Sequence, residues 1–130
     1  MDQYFNKVKE YLIELDYDII SMDEKESIFI VNSTSDGIYN LIIDCEDPIL
    51  IFEQYMFDIN VDNAQIYKTL LQMNREIVHG AFVLDETGKK VIFRDTLQLE
   101  NLDLNEIQGT LNSLELLLSE FSAQLIELAN

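Results

Sequence analysis

The sequence predicts an α+β domain, an antiparallel sheet of five to six strands with three helices in the order α-β-β-β-β-α-β-β-α. Three observations predict it. Apolar residues recur at helical spacing near the start, in the middle and at the end of the chain. The β-rich runs between these stretches are joined by short polar connections, which suit antiparallel neighbours. The 130 residues contain four glycines and one proline, so residues 1–130 read as one folded domain rather than as linkers or low-complexity sequence.

The first helix is predicted over residues 3–16, where Phe5, Val8, Leu12 and Leu15 form an apolar stripe and Lys7, Lys9, Glu10 and Glu14 fall elsewhere. Strands follow at Tyr17–Met22, Ser27–Asn32 and Ile38–Cys45, with Asp36-Gly37 supplying the positive φ of a tight turn. Asp47-Pro48 ends the third strand, and Ile49–Ile59 reads as the fourth. Asp62, with Gln65 three residues on, announces a second helix that should run to about Val78 with Ile66, Leu70, Met73 and Ile77 on one side. Gly80 is its expected stop. Ala81–Asp85 and Lys90–Leu99 make a hairpin around Glu86-Thr87-Gly88-Lys89. Asp103 and Glu106 then form a capping box for a last helix reaching about Ala129.

In that last helix Ile107, Leu111, Leu114, Leu118, Phe121, Leu125 and Leu128 alternate at spacings of four and three, a seam of the kind that packs helix on helix. Its partner would be the first helix or a second copy of the chain. The strands carry apolar residues on both faces, as in Ile28-Phe29-Ile30-Val31 and Ile49-Leu50-Ile51-Phe52. One face is covered by helices, and the other needs a cover from a helix, a twin subunit or a client.

Twenty-five acids against eight bases leave a net charge of −17. Such a surface repels nucleic acid and anionic membrane and suits a basic partner. No stretch is apolar enough to span a bilayer and the N-terminus does not read as a signal peptide. One cysteine, Cys45, points to a reducing compartment, so a cytoplasmic location is expected.

Catalytic chemistry finds no support. His79 is the only histidine and is expected at a helix end, where its imidazole can satisfy free carbonyls. Cys45 lies in Asp44-Cys45-Glu46-Asp47, where carboxylates raise a thiol pKa, so a small buried side chain is the expected role. That acidic run lacks the alternating rhythm of a calcium loop, and one His with one Cys excludes zinc. The glycines are scattered singly, so no phosphate loop is present. The expectation is no catalytic residue, no cofactor, no metal and no enzyme.

The order of elements, and above all Leu70–Ile107, resembles the type III secretion chaperone fold, the Tir-chaperone or CesT-like superfamily with its YbjN-like relatives. Leu71 and Asn74 match a helix ending in Leu-x-x-Asn. Gly80, Phe82, Leu84, Asp85 and Gly88 match the small residue, the Phe-x-Leu-Asp strand and the turn that follow. The resemblance implies a small acidic protein, commonly a homodimer, that holds segments of other proteins extended, and it brings no catalytic residues. The long run Ile49–Ile59 departs from a secretion chaperone and favours the looser YbjN-like or Tir-chaperone-like grouping.

The function expected is therefore a non-enzymatic, chaperone-like module binding another protein on apolar sheet surface. Leu50, Phe52 and Met56 are the expected partner contacts, with Ile49, Ile51, Tyr55, Phe57 and Ile59 on the core side. The rival is an acidic inhibitor or immunity-type protein that meets a basic partner through charge. A homodimer is expected in solution.

Overall fold

The stripe Phe5, Val8 and Leu12 becomes the buried side of α1 (Asp2–Glu14) in a computed structural model of the chain, which describes residues 2–130. Asp16, at φ 63°, turns the backbone out of the helix, and Tyr17 enters the core just before β1 (Asp18–Asp23). Then come β2 (Ile28–Ser33), β3 (Ile38–Glu46), β4 (Ile49–Asp58), α2 (Ala64–Asn74), β5 (Ala81–Leu84), β6 (Lys90–Gln98) and α3 (Leu104–Ala129). Every strand pair is antiparallel and the sheet order is β1-β2-β3-β4-β6-β5. The architecture is the predicted α+β one. Its only non-sequential neighbours are β4 and β6, so the β5–β6 hairpin joins the meander through its second strand.

α2 departs from expectation at both ends. Its cap is Asn63 rather than Asp62, the Asn63 side chain accepting from the amide of Gln65 at 2.8 Å. It stops at Asn74 rather than near Val78 because the Asn74 side chain is engaged elsewhere. Its Oδ1 accepts from the Phe82 amide at 2.8 Å and its Nδ2 donates to the Phe82 carbonyl at 3.3 Å. These are the two bonds a neighbouring strand would have made along the free edge of β5. Gly80 has a stricter job than stopping a helix. At φ 87° a β-carbon there would lie 2.6 Å from the Phe93 ring and 3.0 Å from the Arg94 carbonyl oxygen. α3 opens with the predicted capping box, Asp103 accepting from the Glu106 amide at 2.8 Å and Glu106 from the Asp103 amide at 3.3 Å.

All three helices feed one core. Phe5, Val8 and Leu12 of α1, Leu70 and Met73 of α2, and Ile107, Leu111, Leu114, Leu117 and Leu125 of α3 join Phe29, Ile43, Phe52 and Phe93 of the sheet. The Phe5 and Phe29 rings stack at 4.4 Å. The α3 seam brings a second correction, for it lies on β4 and β6 of the sheet, a contact its spacing did not announce. A stripe at spacings of three and four is straight enough to lie on a sheet as well as on a helix. The seam's buried half thus needs no second chain.

The third correction concerns β4. Phe57 is buried as expected, but Leu50, Phe52 and Gln54 are buried with it, whereas Ile49, Ile51, Glu53 and Tyr55 point away from the core. The pairing shows why. Tyr55 faces Ile92 and Phe57 faces Val91, so Met56 is the extra residue of a β-bulge and alternation changes phase there. Leu50 and Phe52, expected to meet a partner, are fully buried beneath the helices. Met56 is half-buried, packed against the core's margin.

Candidate protein-binding surface

With the helices gathered on one side, the other side of the sheet carries a layer of half-exposed apolar residues. Alternation places Ile28 and Ile30 of β2, Ile42 of β3, Ile49, Ile51 and Tyr55 of β4, Ile92 of β6 and Val83 of β5 there. None belongs to the core cluster or packs against it. Ile42 is 40% exposed and Tyr55 52%. Residue-level reading missed these isoleucines as a surface. The signal was present in the doubly apolar runs of β2 and β4, but not the phase that says which half is buried.

Asp44 lies in the middle of this face. Its cross-strand neighbours are Ile28 and Ile51. Ile42 precedes it on the same side of β3, and Ile30 and Ile49 stand diagonally from it. A carboxylate is thus ringed by five isoleucines, and its Oδ1 is buried with no hydrogen-bond partner. Burial holds the Asp44 carboxyl above the ordinary carboxylate range, and Glu46, Glu53 and Glu26 push it further up. The nearest cation on the face is Arg94, already 3.6 Å from Glu53.

Two smaller features adjoin. Beside β5, Tyr67, Leu71, Val83 and Leu84 line an apolar hollow without a charged side chain, and Leu71 is 69% exposed. Between β4 and the C-terminal half of α3, Met56 lines a groove with Tyr39, Leu118 and Ile126. Beneath it Gln54 donates to the Tyr39 carbonyl at 2.8 Å and the Tyr55 carbonyl at 3.2 Å. Met56 is the one expected contact that stays within a partner's reach.

The titratable singletons serve the fold. His79 sits past the end of α2, and its backbone, not its ring, makes the tether. The Ser113 hydroxyl accepts from the His79 amide at 3.1 Å and donates to the His79 carbonyl at 2.7 Å. Cys45 is buried, and burial, then the Asp44 charge, pushes its thiol up to about 12. On the helical side Tyr17 donates to Glu115 at 3.4 Å, and burial and Asp36 raise the Glu115 carboxyl. Among the described residues no group of three or more His, Cys, Asp or Glu is arranged to hold a metal ion. No helix among them is long and apolar enough to cross a membrane.

Comparison with known proteins bears on the fold and the family. The family model CesT_Tir_1 matches residues 1–130. No curated protein sequence matches. Among solved structures, YbjN from E. coli, described as a candidate transcription regulator, is similar with a TM-score of 0.69 at 12% identity, over 92% of this chain and 91% of that one. A chain of the ExsC–ExsE complex is similar with a TM-score of 0.64 at 19% identity, over 92% and 90%. A chain of the Yersinia pestis type III secretion chaperone SycH, in complex with a stable fragment of YscM2, gives 0.60 at 17% identity, over 96% and 98%. At these identities the likeness is one of fold.

Proposed function

The chain belongs to the CesT_Tir_1 family, and from that premise we propose that it is a non-enzymatic, chaperone-like module of the cytoplasm that holds a segment of another protein on the uncovered face of its sheet. The observation that carries the reading is the layer formed by Ile28, Ile30, Ile42, Ile49 and Ile51, on which none of the described helices rests. A broad apolar face without a deep cleft offers burial to an extended or helical segment and little to a small molecule. Met56, at the bulge, extends that contact toward the α3 groove, where methionine's flexibility suits varied segments.

The same reading places a second copy of the chain at the hollow beside β5. Each chain carries −17, so self-association costs least where no carboxylate lines the contact, as around Leu71 and Leu84. Nearly all the remaining acids can then stay solvated. The homodimer is tested by light scattering, with Leu71→Asp expected to give a monomer.

Partner binding is tested with isoleucine-methyl NMR and an unstructured peptide of alternating leucine and serine. Shifts are expected at Ile28, Ile42 and Ile51, with core residues such as Ile43 and Ile107 moving little. Changes confined to the α3 groove, or no change at millimolar peptide, would refute the assignment of the sheet face.

A further inference from the structure

The charge on this face is out of keeping with its apolar surroundings. Asp44 is one of four carboxylates gathered there, with Glu46 on the same strand, Glu53 diagonally on β4 and Glu26 just before β2. Glu46 and Glu26 are exposed and solvated, and Glu53 has Arg94. Asp44 alone keeps a buried oxygen without a donor. A carboxylate left so in an apolar setting costs free energy that a donor brought by a partner would recover.

Resting on the reading of this face as a docking surface, we propose that its occupant is an apolar polypeptide segment carrying a lysine or arginine whose charged head seats on Asp44. The five surrounding isoleucines fit such a side chain better than a bare cation. The methylene stem of Lys or Arg lies along apolar surface while its head reaches a polar partner, and a guanidinium can offer two parallel donors to one carboxylate. Both charge and neighbourhood exclude a second copy here. A two-fold contact through this face would bring the Asp44, Glu46 and Glu53 of one chain against those of the other, with no cation free to separate them. The uncharged hollow beside β5 has no such obstacle. A plain apolar segment would leave the Asp44 oxygen unpaired and more deeply buried than before.

The experiment compares three peptides on the full chain: the alternating leucine–serine parent, the same peptide with its central serine replaced by arginine, and one with citrulline there. Citrulline keeps the shape of arginine and removes its charge, so this arm needs no protein variant. The arginine peptide should bind on the order of tenfold more tightly than the citrulline peptide, as expected for one charge-assisted hydrogen bond to a shielded carboxylate. Asp44→Asn should bring the two within about twofold of each other, whereas Glu10→Gln, the same change in net charge on α1, should leave the ratio as in the wild type. Diffuse attraction to an acidic protein would respond equally to both variants. Equal binding of arginine and citrulline peptides would overturn the inference. So would an arginine preference that survives Asp44→Asn, or peptide binding that competes with self-association. Parent-peptide shifts on the face would still stand in the first two cases, so loss of the cation preference and loss of the docking surface are separable results.

Discussion

Replacing Gly80 with alanine should be the most damaging single-methyl change in the chain. Two costs add. At φ 87° an L-residue enters the left-handed region, which costs roughly 1–2 kcal/mol. The new methyl would also meet the Phe93 ring at 2.6 Å and the Arg94 carbonyl oxygen at 3.0 Å. Phe93 is fully buried, so the ring cannot swing into solvent, and overpacking of this kind costs roughly 1–3 kcal/mol. The total is about 2–5 kcal/mol. Gly37 and Gly88 are internal controls, with φ of 74° and 73° and nothing within 4 Å of an added β-carbon. Each should lose only the backbone part, roughly 1–2 kcal/mol. Urea unfolding of the three alanine variants measures this directly through their midpoints at unchanged slope. At about 2.1 cal/mol/K per residue, each kcal/mol moves the melting point of a chain this size by about 4 °C. If Gly80→Ala proves no worse than Gly88→Ala, the close approach of the chain to β6 is not what the glycine is for.

Ser113→Ala should cost about 1–3 kcal/mol, because it leaves both the amide and the carbonyl of His79 without their partner; urea midpoints check it, and a loss below about 0.5 kcal/mol would mean that water replaces the hydroxyl. The pH dependence follows from Asp44 and Glu115. Burial, and to a lesser degree their acidic neighbours, raises both carboxyls in the fold, so the folded state binds protons that the unfolded chain, titrating near about 4, releases. Stability should therefore fall as pH rises from about 4 through the raised values, and the pair Asp44→Asn and Glu115→Gln should flatten that fall. Asp58 and Asp85, lowered by hydrogen bonds from Lys90 and Thr87, act in the opposite sense and only at the acid end. A wild type that loses no more stability than the double variant between pH 4.5 and about 7.5 would contradict the assignment.

Most of the fold was legible because it is written in local patterns. The period of α1, the Asp103–Glu106 box and the turn at Asp36-Gly37 each act within a few residues, and each is found where expected. What was not legible depends on contacts distant in sequence. Nothing near Asn74 tells that its side chain will be taken by Phe82, which is what ends α2. β4 is the clearest case. Phe57 and Ile59 do pack with the core, and strict alternation from them assigns Ile49 and Ile51 to the same side. The bulge at Met56 breaks that alternation, and with apolar residues on both faces no polarity contrast betrays the change. The sequence pattern thus reveals a face that needs a cover but not which half of β4 belongs to it. The surroundings of Asp44 are not legible in the acidic run that contains it, because its five isoleucine neighbours come from three strands.

The placement of β6 between β4 and β5 has a kinetic consequence. β1 to β4 can pair through short turns as each emerges, but the side bearing Leu50 and Phe52 stays open until β6 docks and α3 closes over it. That closure joins residues far apart along the chain. Tyr11 meets the Leu102 carbonyl across 91 residues, and Tyr17 meets Glu115 across 98. Loop-closure entropy must be met before those contacts form. The last step of folding should accordingly be the slow one, and α3 substitutions such as Leu111→Ala should retard folding only if α3 is already docked in the transition state. A meander not yet covered by α3 would present its future interior, Leu50 and Phe52 among it, to any neighbour.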